Sequence, residues 1–267
     1  MMLSEKAYAK LNLVLDVVGK RLDGYHDLKS IMIPLELHDE LIFEKSENLV
    51  IVSNVDIPNN IVEKAARLLI KKYDISSGVK IIIEKNIPIG GGLAGGSADA
   101  SAALRGLNKF FNINVSMREL EDLALELGSD TLFCLYNKPA YVFGRGEHME
   151  FLESLELGSI TLICPKTSCS TTKIFSNFKK SVSNDFDKAL RLYKNKEKEL
   201  FIKSCYNDLL NTVLSINSEF KNVYDYYSHL LDDLKMTGSG STMFSFSGHE
   251  NIKKHNYVKI IKTKAKN

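Results

Sequence analysis

The chain opens on a strict alternation. Ala7, Ala9, Leu11, Leu13, Leu15 and Val17 fall on one face of an extended segment, and Tyr8, Lys10, Asn12, Val14 and Asp16 on the other. A strand is therefore predicted from Ala7, with Lys10 and Asn12 pointing to the same side. Alternation resumes between Ile31 and Ile57, broken by turn signals near Glu47-Asn48 and Pro58-Asn59. Helical spacing follows at Ile61, Ala65, Leu68 and Leu69, and Asn60 with Glu63 forms a capping-box-like start. Val79 to Glu84 is β-branched and bounded by Ser77-Gly78, so it is predicted as a strand. Ala100, Ala103, Leu104, Leu107, Phe110 and Phe111 predict a helix. Leu120, Leu123, Ala124 and Leu127 predict another, capped by Ser116 and Glu119 and stopped at Gly128. Ala140 to Phe143, Ile160 to Cys164, Thr242 to Phe246 and Tyr257 to Ile261 are predicted strands, with a turn over Gly144-Arg145-Gly146-Glu147. Lys179 to Lys203 is charged and helix-leaning, which predicts a solvated helical surface. Strands and helices are thus mixed along the chain.

Between the strand ending at Glu84 and the helix through Ala100 lies Pro88 to Ser97, P-I-G-G-G-L-A-G-G-S, with five glycines in ten residues. Strand, glycine loop and helix start is a phosphate-binding arrangement: glycine lets backbone N–H groups approach the oxygens, and the helix N-terminus adds partial positive charge. Ser97 stands where an N-cap is expected, with Asp99 in the first turn. A Walker loop has lysine after its last glycine, where this chain has Ser97. Gly90, Gly92 and Gly95 match G-x-G-x-x-G, but no second parallel strand ending in an acid follows. The D-F-G and H-R-D elements of protein kinases are absent from the sequence. A solvated linker would be polar, and this loop is apolar.

Pro88, Gly92-Leu93, Gly95-Gly96 and Ser97 resemble the central loop of the GHMP kinases, small-metabolite kinases, and Met236-Thr237-Gly238-Ser239-Gly240-Ser241 is similar to their later glycine turn. Within that superfamily, Ala7-Tyr8-Ala9-Lys10-Leu11-Asn12-Leu13 followed by Gly19-Lys20-Arg21-Leu22-Asp23-Gly24-Tyr25-His26 resembles the N-terminus of the 4-diphosphocytidyl-2-C-methyl-D-erythritol kinases. The resemblance implies an α+β GHMP kinase fold of two domains. Residues 1–155 would form an ATP-binding domain like ribosomal protein S5 domain 2, and residues 156–267 a ferredoxin-like domain. The activity implied is transfer of the ATP γ-phosphate to the 2-hydroxyl of a methylerythritol carried on cytidine diphosphate, in the non-mevalonate isoprenoid pathway.

The same resemblance assigns residues. Asp130, in Leu127-Gly128-Ser129-Asp130, matches the catalytic acid/base, and Lys10 its partner in catalysis. ATP would be held by Asn60, Lys85, Pro88, Gly90, Gly91, Gly92, Leu93, Ala94, Gly95, Gly96 and Ser97. The cytidine substrate would meet Asn12, Tyr25, His26, Thr171 and Phe175, with Gly238, Ser239 and Gly240 turning near the site. Mg²⁺ is implied as the partner of ATP; its ligands stay open, with Ser97 the one candidate. Plainer alternatives stand beside several of these. Lys10 suits a solvated edge charge, Asn60 a helix cap, Lys85 an exposed strand end, Asp130 a cap for the segment after it, and Phe175 a core position of its helix. Asn207-Asp208-Leu209 matches an element opening a helix, with a structural role.

Departures from the pattern carry their own expectations. Ala94 replaces a glycine and is expected at φ below zero, because a Cβ disfavours the left-handed region. Ala98 removes a hydroxyl, and Thr131-Leu132 stand in place of Val-Pro. Two rival functions remain: another GHMP kinase, for mevalonate-type or sugar substrates, and a catalytically silent nucleotide sensor of the same fold.

Composition narrows the class further. A net charge of +2 argues neither for nor against nucleic acid, and an anionic small-molecule substrate needs only local basic residues; the partner implied by the resemblance is a small molecule, with no nucleic acid or membrane. No stretch approaches the roughly 20 apolar residues of a membrane span, and no signal peptide is legible. Cys134, Cys164, Cys169 and Cys205 form no C-x-x-C pair, which fits reduced thiols in a cytoplasmic protein. The six lysines from Lys253 to Lys266 fit the solvent side of a last strand. A monomer or homodimer is expected.

Overall fold

The computed structural model describes residues 2–180, 184–246, 252 and 256–266. The chain divides into two compact units: Met1–Ala9, Leu37–Ile89 and Ala94–Asn137 form the first, and Lys10–Glu36, Gly90–Leu93 and Lys138–Asn267 the second. Two long strands, β1 (Met2–Lys20) and β2 (His26–Ser46), pair with each other and contribute residues to both units.

In the first unit, β2 pairs antiparallel with β4 (Gly78–Glu84), in the register Glu40 to Glu84 and Ser46 to Gly78. A short β3 (Val50–Ser53) adds parallel to β4. Four helices complete it: α1 (Ile61–Lys72), α2 (Gly95–Phe110), α3 (Met117–Leu127) and α4 (Ser129–Tyr136). The period-two face carrying Leu41 and Phe43 on β2, with Val79, Ile81 and Ile83 on β4, is buried, as are Ala65 and Leu69 of α1 and Leu104 and Leu107 of α2. The predicted box at Ser116 and Glu119 forms in full. Asn60 caps α1 by accepting from the Val62 N–H, but Glu63 turns outward to Arg67 instead of closing a box.

Gly106 explains how closely α2 lies on the sheet. A Cβ there would come within 2.2 Å of Cζ of the buried Phe43 ring. Any side chain there must displace the Phe43 ring or the helix.

The second unit holds strands of two sheets. In one, β2 pairs antiparallel with β5 (Ala140–Gly144), which makes a hairpin with β6 (His148–Phe151); this is a six-stranded sheet in the order β3-β4-β2-β5-β6 with β1 beside β2. The other is wholly antiparallel, in the order β10-β7-β9-β8, from β7 (Ser159–Pro165), β8 (Lys235–Met236), β9 (Met243–Ser245) and β10 (Val258–Lys264). Its helices are α5 (Thr171–Asn177), α6 (Phe186–Lys194), α7 (Lys198–Ser204), α8 (Leu210–Ile216) and α9 (Ser218–Ser228). Leu15 and Val17 of β1 join Ile163, Ile174, Leu209, Val213, Phe220, Tyr227 and Met243 in its core.

The charged stretch from Lys179 to Lys203 is more than a solvated surface. Its helices α6 and α7 bury Phe186, Ala189, Leu192, Tyr193 and Phe201 along one stripe, a pattern masked in sequence by the surrounding lysines. Of the terminal lysines, Lys259, Lys262 and Lys264 are exposed on the edge strand β10, whereas Lys253 and Lys254 lie outside the described residues.

Replacing Gly106 by Ala should destabilise the protein by about 1–3 kcal/mol through overpacking. Thermal denaturation of the variant checks this. Combining it with Phe43→Leu should restore part of the loss, and an unchanged melting temperature for Gly106→Ala would contradict the packing described.

Candidate active site

In the second unit the residues meet around β1. Lys10, expected from sequence alone to be an edge charge, is 3 % exposed. Its ammonium donates to Asn12 Oδ1, which confirms that the two side chains share a face. Asn12 is held from every side: its N–H donates to Thr237 Oγ1 at 2.9 Å, and its Nδ2 donates to Ser30 Oγ at 2.8 Å. Ser30 in turn donates to the Val14 carbonyl at 2.6 Å. The Lys10 N–H donates to the Leu93 carbonyl at 3.1 Å, so the glycine loop is tied to the same strand.

The two glycine turns approach each other at backbone distance. Gly92 has φ +77°, and a Cβ there would lie 2.7 Å from the Thr237 oxygen and 2.9 Å from the Gly240 oxygen. Conversely, a Cβ on Gly238 (φ +57°) would lie 2.8 Å from the Gly92 oxygen and 3.1 Å from Lys10 Nζ. The Thr242 N–H donates to the Gly91 carbonyl at 3.1 Å. Asn207 holds the second turn by donating from Nδ2 to the carbonyls of Met236 and Gly238, at 3.0 and 2.9 Å. A structural role for the Asn207-Asp208 element is what its sequence position suggested.

Tyr25 and His26 follow a tight turn in which the Arg21 N–H donates to the Tyr25 carbonyl at 2.7 Å and the Tyr25 N–H to Asp23 Oδ1 at 3.1 Å. Tyr25 is exposed, and the Arg145 guanidinium lies 4.5 Å from its ring centroid. Arg145 had no assignment from sequence beyond its turn, and no spacing rule links it to Tyr25. Phe175 packs on the core of this unit, as one of its alternatives had it, and lies against the His26 ring, centroids 5.2 Å apart and planes 32° apart. Phe178 meets the same imidazole edge-on at 6.2 Å. Burial, reinforced by Lys20, lowers the His26 pKa below its ordinary value, so the ring is neutral at pH 7 and can both donate and accept. Thr171 and Ser239 share a hydrogen bond at 2.8 Å, linking the start of α5 to the second glycine turn.

In the first unit, α2 begins at Gly95 with Ala94 as its N-cap residue. Ser97 is thus its third residue and not the cap, and Asp99 lies beyond the first turn. Ala94 has φ 53° and ψ 33°, against the expectation of a negative φ. The loop has kept a left-handed residue at a position where the Cβ is unfavourable. Ser101 donates from Oγ to the carbonyls of Ser97 and Thr131, at 2.9 and 2.7 Å, which ties α2 to α4.

Lys85 is not the exposed strand end that one alternative proposed. Its ammonium bonds Asp39 and Asp99, and the three side chains are 5 %, 0 % and 3 % exposed. Asp39 escaped the sequence reading, although it stands two and four residues before Leu41 and Phe43, on their buried face. Asp130 lies in the first turn of α4, half-buried. Gly128 occupies the N-cap position without a side-chain cap, so the alternative that Asp130 caps the segment is not what the helix uses. A carboxylate in a first turn is favoured by the helix dipole.

The N-terminal domain model of the GHMP kinases matches residues 60–138. The chain also superposes on the Methanococcus jannaschii mevalonate kinase with a TM-score of 0.71, covering 100% of this chain and 98% of that one at 14% identity, a likeness of fold alone. The class is therefore the α+β GHMP kinase fold. Over 266 residues the chain is 35% identical to a putative 4-diphosphocytidyl-2-C-methyl-D-erythritol kinase of Staphylococcus haemolyticus (strain JCSC1435), covering 96% of this chain and 94% of the relative. It is 38% identical to the 4-diphosphocytidyl-2-C-methyl-D-erythritol kinase of Bacillus cytotoxicus over 94% of this chain and 90% of that protein. A crystal structure of 4-(cytidine 5'-diphospho)-2C-methyl-D-erythritol kinase matches with a TM-score of 0.77 and 28% identity over 92% of this chain and 90% of that one. The chain belongs to the 4-diphosphocytidyl-2-C-methyl-D-erythritol kinase family.

Ala94→Gly should relieve the left-handed strain and raise stability by about 1 kcal/mol. A melting temperature that falls, or stays level, would contradict the backbone described for the loop.

Proposed function

We propose that the protein is an ATP-dependent kinase that phosphorylates the 2-hydroxyl of 4-diphosphocytidyl-2-C-methyl-D-erythritol, a step in isoprenoid precursor synthesis. The observation that carries this is the similarity to relatives of that name along nearly the whole chain, including both units. ATP is assigned to Asn60, Lys85, Pro88 and the glycine loop Gly90 to Ser97. Backbone N–H groups of that loop and the α2 N-terminus bind its phosphates. The cytidine substrate is assigned to Tyr25, His26, Thr171, Phe175 and Asn12, supported by their common place in the second unit. Tyr25 and Phe175 offer aromatic faces to the base, and the neutral His26 offers it a donor and an acceptor.

Phosphoryl transfer is mostly positioning and charge stabilisation. Asp130 takes the proton of the substrate hydroxyl as its oxygen bonds the γ-phosphorus; the bond to the bridging oxygen breaks and ADP departs. Lys10 offsets negative charge on the transferring group. Among the described residues no cluster of three His, Cys, Asp or Glu could hold a metal. Ser97 offers one hydroxyl, which fits Mg²⁺, an ion usually bound through substrate phosphates and one or two protein oxygens. When bound, it would neutralise phosphate charge. We assign the ATP-binding domain to residues 1–155 and the second domain to 156–267, supported by a four-stranded sheet that draws every described strand from Ser159 onward; the compact units cut the chain differently, with Lys10–Glu36, Gly90–Leu93 and Lys138 onward in the second. A cytoplasmic place is supported by four free cysteines.

Incubating the purified protein with Mg-ATP and a panel of cytidine-diphospho, mevalonate-type and sugar alcohols tests the assignment. Phosphorylated cytidine-diphospho product by mass spectrometry is expected. Turnover only of another alcohol would assign a different GHMP kinase, and no turnover by folded protein would favour a silent sensor. Asp130→Asn should lower kcat by about 10²–10⁴-fold, as removal of a general base does, with ATP binding retained. Tyr25→Ala should raise KM for the cytidine substrate roughly tenfold, the usual worth of a stacked base, and leave KM for ATP unchanged. Near-normal turnover in the first, or unchanged KM in the second, removes the role concerned.

A further inference from the structure

Helix α5 carries Thr171 and Phe175, both assigned to the cytidine substrate, on only seven residues. A helix that short does not hold itself in water, so its place is set by what ties its ends. It buries Ile174, partly buries Phe175 and exposes the rest. At its start, Ser170 Oγ accepts the Lys173 N–H at 3.4 Å, and Thr171 shares its hydrogen bond with Ser239. Past its end the chain passes Phe178, whose ring meets the His26 imidazole edge-on, and reaches Lys180. All of these residues belong to the second unit.

Lys180 ends on three acceptors. Its ammonium donates to Asp16 Oδ1 and to the Val17 carbonyl, both at 3.1 Å, and lies 3.5 Å from Asp208 Oδ2. Those acceptors are fixed in their turn. Asp16 and Val17 belong to β1, where the Leu15 N–H donates to the Tyr206 carbonyl and the Leu15 carbonyl accepts the Asp208 N–H, each at 3.0 Å. Asp208 Oδ2 accepts the Val17 N–H at 3.0 Å, and its Oδ1 accepts Asn184 Nδ2 at 2.8 Å. The Asp16 and Asp208 side chains are 10 % and 3 % exposed. Two carboxyls buried side by side repel, and an ammonium between them offsets that cost. Lys180 is thus drawn to this place by charge, and the chain before it follows.

We propose that Lys180 is a positioning residue for the cytidine end of the substrate, anchoring the chain after α5 to β1 so that Phe175 and Phe178 stay against His26. This rests on the assignment of His26 and Phe175 to the cytidine. Phe178 and Lys180 stand two residues apart, at most about 7 Å along an extended chain, so holding the ammonium limits how far the ring can travel. Without that tie the end of α5 is looser, and ordering it consumes part of the substrate's binding energy. The acceptors of Lys180 lie at the far end of β1 from Lys10 and at Asp208, so the loss falls on cytidine binding and not on phosphoryl transfer.

Steady-state kinetics with Mg-ATP and 4-diphosphocytidyl-2-C-methyl-D-erythritol test this in Lys180→Met, Lys180→Arg and Tyr25→Ala. Lys180→Met should raise KM for the cytidine substrate about threefold to tenfold, the effect of losing a half-buried ion pair, with kcat and KM for ATP within about twofold of wild type. Lys180→Arg keeps the charge and has donors for both carboxyls, so it should return the cytidine KM to within about twofold. An unchanged cytidine KM in Lys180→Met overturns the proposal even if the melting temperature falls, because the tie is then structural alone. So does a joint change of kcat and both KM values, and so does a Lys180→Arg variant no better than Lys180→Met. The Lys180 side chain is 40 % exposed, which favours folding of the Met variant. Should it not fold, Lys180→Gln is read by the same criteria. Tyr25→Ala separates the two assignments: a raised cytidine KM there, with an unchanged one in Lys180→Met, defeats the anchor alone. A wild type that does not turn over the cytidine substrate defeats the functional reading and this proposal with it.

Discussion

The second unit depends on backbone meeting backbone at the two glycine turns. Carbonyl oxygens of Thr237 and Gly240 occupy the space where Gly92 would carry a Cβ, and the Gly92 oxygen does the same to Gly238. No side chain fits between them, and at positive φ none would be well tolerated. Once the turns are so close, their neighbours are set. Thr237 reaches the Asn12 N–H, Gly238 lies against the Lys10 ammonium, and Asn207 holds the carbonyls on the other side. Glycine at these positions is a packing requirement.

Charge is the second organising constraint, and the two lysines meet it differently. Lys10 is buried on a strand and donates to the amide of Asn12, a neutral acceptor fixed by Ser30. Lys85 is buried between two carboxyls, one of which also holds backbone N–H groups. Buried ammonium groups are expensive unless satisfied, so their partners must be ordered too. Order passes in this way from a charge to the chain around it. The aromatic group at His26 follows another logic, since burial keeps that ring neutral and available for hydrogen bonding at either nitrogen.

Much of the fold was legible because it is local. Two-residue alternation gave β1 its faces, β-branching marked β4, and the Ser116-Glu119 spacing fixed the start of α3, all within a few residues of chain. Family motifs singled out Lys10, Asp130, Tyr25 and His26. What stayed hidden is set by partners far along the chain or by the way one turn meets the next. Ser97 has the chemistry of a cap, yet α2 starts two residues earlier, behind a left-handed Ala94. The hydrophobic stripe of α6 and α7 was lost among lysines on their solvent side.

From its sequence alone this protein is a GHMP kinase whose N-terminal motif points to a cytidine-diphospho substrate. Motifs carry that much because they state which residue types stand at which spacing. Tertiary structure decided the environments. Asp39 lies 46 residues before Lys85 and turns a plausible surface lysine into a buried one. Thr237 lies 225 residues beyond Asn12 and fixes its backbone. Asp99, which reads as a first-turn helix acid, becomes a buried carboxyl with a raised pKa because of what covers it. Residue type is written in the chain, but burial and charge compensation belong to pairs of distant residues, and only folding chooses the pairs.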